Sequence, residues 1–304
     1  MKLVLFDEDF KLGVLKNGNI VDVSASTVNL TYYSPQEMMN QVIENFDSMR
    51  GEIETIVSGS EGVPRDDIRL RAPLPKPTRL VCMAGNYMES GTLSERPPKN
   101  GFNKSPNSVI GNEGTIILPD VAATIFEHEA ELALVIGKTA SNVKAEEAFD
   151  YIFGYMNFID VSARGVPAFY QMKARETFAP MGPWICTADE VADPQNLDVK
   201  LWVNGNLMQD FNTDDMAHQI PQIVEWVSSI HTLEPGDVIA TGTNHRGLSP
   251  LHDGDKIEIE SEGLGRLNVS VRDDLKRTWA RETRFDREER GLQGPTPQLT
   301  GKYA

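Results

Sequence analysis

The chain has 304 residues, with 45 Asp and Glu against 29 Lys and Arg, a formal net charge of −16 and a pI near 4.8. Such acidity without a dense basic patch argues against a nucleic-acid partner, and no run of 18 apolar residues offers an ordinary membrane-spanning helix. With 40% hydrophobic residues the chain has ample material for a core, and its length suits one large or two smaller domains.

Two acids interrupt the opening MKLVLFDEDF where a signal peptide would continue its apolar stretch, so a cytoplasmic protein is expected. Residues 1–72 read as a small β-rich unit. Residues 2–6 are an apolar run, and Leu12–Leu15 and Ile20–Val23 flank the hairpin turn Lys16-Asn17-Gly18-Asn19. Ser34-Pro35-Gln36-Glu37 has the form of a capping box with proline at the first helical position. Met38, Met39, Val42, Ile43, Phe46 and Met49 follow at helical spacing as core residues. The proline-rich run at 73–78 is expected to be a linker.

Residues 79–273 read mostly as strands: Arg79–Met83, Val109–Leu118, Glu129–Ile136, Tyr155–Ile159, Val199–Val203, Val238–Ala240, Lys256–Glu260 and Leu267–Val271, with helical patterns near Lys144–Tyr151 and Ile220–Ile230. Many strands and few helices predict a β-rich α+β domain. Residues 274–304 form a charged extension expected to wrap a neighbour or fray. Cys82 and Cys186 sit in apolar settings and read as reduced, packed side chains. The serine-hydrolase, Walker A, dinucleotide and zincin motifs are all absent.

The segment Phe126–Gly137 carries the chemistry. Along a strand, Glu127, Glu129 and Glu131 share one face. A solvated face would account for them, but Ala133 and Val135 continue that face as apolar. Buried carboxylates about 6.5–7 Å apart on one strand face repel unless a cation lies between them or one takes a proton. An oxygen-ligated Mg²⁺, Mn²⁺ or Ca²⁺ fits. A third acid, Asp160, ends the apolar run Tyr151–Ile159 as either a turn-former or a ligand.

In these segments the sequence resembles the fumarylacetoacetate hydrolase family. The family patterns E-A-E-L-A-x-V-I-G, F-G-Y-x-x-x-x-D-x-S-A-R, K-x-x-x-T-F-A-P-x-G-P-W, V-N-G-x-x-x-Q-x-x-N-T, L-x-P-G-D-V-I-x-T-G-T and E-G-L-G-x-L stand here in order. They occupy Glu129–Gly137, Phe153–Arg164, Lys173–Trp184, Val203–Thr213, Leu233–Thr243 and Glu262–Leu267. The resemblance implies a mixed β-sandwich roll, a homodimer, a Mg²⁺ or Mn²⁺ site and 2-oxo or 1,3-dicarbonyl acid substrates, such as arise in aromatic-compound catabolism. Carried over by position, Glu129, Glu131 and Asp160 match metal ligands, Lys173 the lysine that neutralises developing charge, and Arg164 and Thr243 residues that hold substrate oxygens. Lys104 matches a basic residue near the site, with a solvated loop lysine as the alternative.

One departure bears on mechanism. The family's hydrolases carry N-Y-x-x-H, whose histidine activates water with a nearby Glu; here Asn86-Tyr87-Met88-Glu89-Ser90 puts serine at that position. A serine hydroxyl is no general base near neutral pH. Glu89 and His245, two residues after Thr243, are the candidate replacements. His128 is expected to face away from the ligands, and His218, His231 and His252 to lie at the surface or at helix ends. The leading expectation is metal-dependent hydrolysis of a C–C bond in an acylpyruvate-like acid. The alternatives are a decarboxylase, tautomerase/isomerase or hydratase on the same scaffold, and a catalytically inert binding protein.

Overall fold

The computed structural model describes residues 1–304. Two sheets carry the architecture. In the larger, the path runs Val63–Pro64, Asn19–Asp22, Lys11–Lys16, Lys2–Phe6, Ala179–Thr187, Ile152–Ile159, Ala130–Ile136, Val238–Ala240, Leu80–Met83 and Gly101–Asn103. The smaller is ordered Asn206–Asn212, Asp198–Val203, Lys256–Ser261, Arg266–Arg272 and Gly114–Ile117. Few helices accompany them, as the α+β expectation required.

Burial explains which strand patterns look continuous and which alternate. Every residue of Ala130–Ile136 and Ala179–Thr187 is buried, so neither strand shows the alternation of a half-exposed one. Asp198–Val203 and Lys256–Ser261 alternate because one face is partly exposed to solvent. The large sheet is packed on both faces. Leu132, Leu134 and Ile136 join a cluster that also takes in the smaller sheet. Ala133 and Val135 point the other way and meet the cluster containing Met38, Met39, Val42 and Ile43.

The N-terminal elements form as their residues dictate. Asn17 and Gly18 both adopt positive φ in the turn that pairs Lys16 with Asn19. Ser34 Oγ accepts the Glu37 N–H at 3.2 Å, while the Glu37 carboxylate reaches back to the Tyr33 N–H at 2.7 Å. Such a cap is worth about 1 kcal/mol. The helical run is broken at Asn45 into Pro35–Glu44 and Phe46–Ser58.

The expected N-terminal unit is not separate in the sheet. Lys2 pairs with Cys186 and Leu3 with Ile185, so its hairpin continues the sheet of the larger region. The expected linker is likewise anchored, with Ala72 and Leu74 buried in the same cluster as the two helices. The single strand expected over Val109–Leu118 is two, Val109–Ile110 and Gly114–Ile117. At the break, a Cβ on Gly111 would lie 2.3 Å from the Ala72 backbone nitrogen. The C-terminal extension docks on its own chain: Trp279 is buried and its indole N–H donates to the Thr124 carbonyl at 2.7 Å. No helix is long and apolar enough to cross a membrane.

Candidate active site

Two adjacent antiparallel strands assemble the acidic centre, at the end away from the connection between them. Glu129 directly precedes the strand Ala130–Ile136, and Asp160 directly follows its antiparallel partner Ile152–Ile159. The Asp160 N–H donates to the Glu129 carbonyl at 2.9 Å, locking these two ends together. Glu131 lies one turn of the pleat further along, on the same face as Glu129. Carboxylate oxygens of Glu129, Glu131 and Asp160 lie within 4.8 Å of one another, and all three residues are buried.

The three acids have different surroundings. Glu129 Oε1 accepts Lys173 Nζ at 2.8 Å and Ser162 Oγ at 2.7 Å, and also meets Arg164 Nη2. Asp160 is gripped by Lys173 on one oxygen and Lys104 on the other. Lys104 is therefore no solvated loop lysine: it is buried, and its ammonium also donates to the Val161 carbonyl at 3.1 Å. Glu131 has no cation of its own. Its Oε2 accepts the Gly242 N–H at 2.8 Å, and its buried Oε1 has no partner.

These surroundings split the acidities. Burial pushes Glu129 upward, but Lys173, Arg164 and His245 outweigh it and hold the carboxyl well below the usual range. Burial, reinforced by Asp160 and then Glu129, drives Glu131 well above it. Lys173 is depressed by burial, yet Asp160 and Glu129 leave it above its ordinary value and charged. A hard divalent cation fits this donor set. It would satisfy the orphaned Glu131 oxygen and relieve the repulsion among three buried carboxylates.

A second group lies on loops. His245 Nδ1 meets Glu89 Oε1 at 2.5 Å, and the His245 N–H donates to Glu89 Oε2 at 2.8 Å. Both side chains are partly exposed. Glu89 and Ser90 have φ of +54° and +58°, a left-handed turn that costs non-glycine residues roughly 1–2 kcal/mol each. Asp215 holds that turn: its Oδ2 accepts the Ser90 N–H and Asn244 Nδ2, both at 3.0 Å. The Asn86 side chain fastens the loop base to the Thr241 carbonyl at 2.9 Å. Gly242 has φ +90° and a Cβ there would press to 3.0 Å on the Asn86 Cβ, so this crossing requires glycine.

The remaining candidates fall as follows. The Thr243 hydroxyl is buried and accepts from Gln209 Nε2 at 2.8 Å. Arg164 bridges Glu129 to the buried Glu127. Burial raises Glu127, but Arg284 and Arg164 together bring it below the usual carboxylate value. His128 is buried away from the triad between Gln209 and Ser249. His252, expected near the surface, is buried against the Trp279 backbone because the C-terminal extension covers it. Ser162, Gly242, Asp215 and Arg284 escaped sequence reasoning. The first two lie inside the S-A-R and T-G-T motifs and could have been found there; the others carry no local signal.

Residues 79–272 match the family model of the fumarylacetoacetate (FAA) hydrolase C-terminal domain. A maleylpyruvate hydrolase from Aquipseudomonas alcaligenes is 32% identical over 287 residues, covering 90% of this chain and 99% of its own. A mitochondrial oxaloacetate tautomerase from Xenopus laevis is 34% identical over 274 residues, covering 84% of this chain and 83% of its own. The crystal structure of maleylpyruvate hydrolase from Sphingobium sp. SYK-6 in complex with manganese(II) and pyruvate superposes with a TM-score of 0.83. It is 37% identical and covers 90% of this chain and 99% of that one.

Proposed function

This chain belongs to the fumarylacetoacetate hydrolase family, and on that premise we propose that it is a divalent-metal-dependent hydrolase. It cleaves the C–C bond of an acylpyruvate, a 2,4-dioxo acid, to a carboxylic acid and pyruvate. The observation that carries the reading is the buried triad of Glu129, Glu131 and Asp160, with Lys173 lying across two of its members and one Glu131 oxygen unpaired. Mg²⁺ or Mn²⁺, with Ca²⁺ as a further hard cation, is the ion for these ligands. When bound it supplies Lewis-acid stabilisation of enolate charge.

The chain's own residues do the rest. Lys173 sets a fixed ammonium beside the developing charge, a contribution of about 3–4 kcal/mol for a preorganised donor of this kind. Lys104 holds Asp160 in place from the far side. Arg164 and Thr243 hold substrate oxygens. Glu89 accepts the Nδ1 proton side of His245, leaving Nε2 to take a proton from water. The hydroxide oxygen bonds to the acyl carbonyl carbon. The C–C bond then breaks with its electron pair on C3 of the pyruvate fragment, and the proton held by His245 is delivered there.

A second reading rests on Ser90, which stands where the family's hydrolases place their lid histidine. Tautomerisation or decarboxylation of a 2-oxo acid needs the enolate-stabilising side but no activated water. In either case we place the enzyme in the cytoplasm as a homodimer, acting after ring cleavage in the catabolism of aromatic compounds. A panel of 2,4-dioxo and simple 2-oxo acids, assayed with Mn²⁺ and followed by mass detection, tests the proposal. Pyruvate and a carboxylic acid, lost on chelation, are expected. A Mn²⁺-loaded protein that releases neither would overturn hydrolysis, and CO₂ release or tautomer exchange in its place would establish the second reading.

A further inference from the structure

Arg284 carries the C-terminal extension to the Glu127–Arg164 side of the active site. Glu127 is buried, and both its oxygens are spoken for. Arg284 donates Nε to Oε1 at 2.9 Å and Nη2 to Oε2 at 2.5 Å, while Arg164 Nε takes Oε2 at 2.9 Å. Arg164 then has Nη1 against the Met172 sulfur at 3.5 Å and Nη2 on the metal-ligand candidate Glu129.

We infer that Arg284 is a positioning residue for Arg164, acting through Glu127 to fix the guanidinium that holds substrate oxygens. The inference rests on the reading of Arg164 given above. Its physical basis is competition for one carboxylate. A guanidinium and a carboxylate pair most strongly through two parallel hydrogen bonds. Arg284 occupies that bidentate position, which confines Arg164 to one oxygen and keeps its Nη2 turned to Glu129 in the acidic centre. Without Arg284, the free Oε1 draws Arg164 into the bidentate pairing and rotates Nη2 away from Glu129.

Arg284 is itself fixed by backbone. Thr283 and Asp286 cap each other's N–H groups at the start of the helix Arg284–Glu289. The Arg284 N–H donates to the Leu248 carbonyl at 3.0 Å and the Phe285 N–H to the Arg246 carbonyl at 2.8 Å. Arg246 stacks over the Phe285 ring with its guanidinium carbon 4.2 Å from the centroid. The extension is thus stitched to the segment that follows His245, so its register on the site is set by main chain rather than by a mobile side chain.

A double-mutant cycle tests the inference, using R284Q, R164Q and R164Q/R284Q so that buried Glu127 always keeps a donor. The readouts are the Kd of Mn²⁺ by calorimetry and the Kd of pyruvate for the full-length, Mn²⁺-loaded protein. We expect R284Q to leave Mn²⁺ affinity within twofold and to weaken pyruvate about tenfold, as loss of a charge-assisted bond implies. On an R164Q background, R284Q should change pyruvate binding by less than twofold. With an acylpyruvate substrate the effect should appear in KM more than in kcat. R284A serves as a second variant, with Mn²⁺ affinity reporting that the site is still folded. Equal losses in both backgrounds, or unaltered pyruvate binding in R284Q and R284A, would overturn the inference while leaving the metal site and the hydrolase reading intact. Failure of the wild-type protein to bind pyruvate would overturn both.

Discussion

The two halves of the site are built from different material. The half that would manage negative charge stands on paired strands and the ends of strands: Glu129, Glu131 and Asp160 are buried, and backbone bonds between neighbouring strands fix their spacing. Buried Lys173 reaches them from the end of the helix Phe169–Lys173. The half that would handle protons, Glu89 with His245, stands on loops, is partly exposed and includes two residues at positive φ. The difference follows from the work. Charge stabilisation depends on dipoles and charges that do not move as the reaction proceeds, whereas water and product must enter and leave past the proton-transfer group. A family that shares the strand half can change its reaction by changing the loop half.

Several substitutions would break or sharpen this contrast. The largest effect is expected on the strand half: Glu131→Gln should weaken Mn²⁺ by more than about 100-fold, beyond what loss of an outer-shell partner costs. Circular dichroism should show the fold intact, since Oε1 has no internal bond to lose. Next, Lys173→Met should cut kcat by about 10²–10³, yet Mn²⁺ affinity should hold or rise, because an ammonium competing for Glu129 and Asp160 has gone. Unchanged turnover would remove Lys173 from the chemistry.

On the loop half, Glu89→Gln should lower hydrolysis about 10²-fold while exchange of deuterium at the carbon beside the ketone continues. Equal loss of both would show that the two halves are not separable. Asp215→Asn should act more weakly and in the same direction, by letting the 89–90 turn relax. The smallest effect lies far from either half, where Arg50 meets Asp189 at 2.7 Å. Burial raises Asp189, but hydrogen bonds from Thr187 and Arg50 bring it down to about 2. A depressed carboxylate stabilises above its unfolded pKa of about 3.9 and loses that contribution as pH falls through the folded value. Urea unfolding of Asp189→Asn should therefore differ from the parent at pH 5 and converge with it toward pH 2.

The strand half was legible in the sequence because strand geometry is local. Alternation puts Glu129 and Glu131 on one face without reference to anything distant, and Asp160 closes the run that pairs with them. The loop half was legible only as residue types. Nothing near Glu89 in the chain says that it meets His245, and Arg284 reaches Glu127 from an extension that reads as charged surface. The strand Ala179–Thr187 escaped prediction because Pro180, Gly182 and Pro183 punctuate it. Val109–Leu118 reads as continuous in sequence because the close approach of Gly111 to Ala72 is a tertiary fact. In sequence His252 reads as a surface or helix-end residue because nothing announces that Trp279 returns to cover it.

The pairing of Lys2 with Cys186 bears on how the chain is made. During synthesis the strand Lys2–Phe6 emerges first and finds early partners in Lys11–Lys16 and, through Leu5 and Phe6, in Leu70–Arg71, but its Lys2–Leu3 end has no partner until the ribosome has delivered residues 179–187. Domains made from the N-terminal side first usually fold as they appear; here the first-made strand must wait with an open edge, the kind of surface that recruits other chains. Long-range strand pairing of this sort slows folding. Refolding yield should therefore fall steeply with protein concentration. A fragment ending before residue 179 should aggregate where the full-length chain does not.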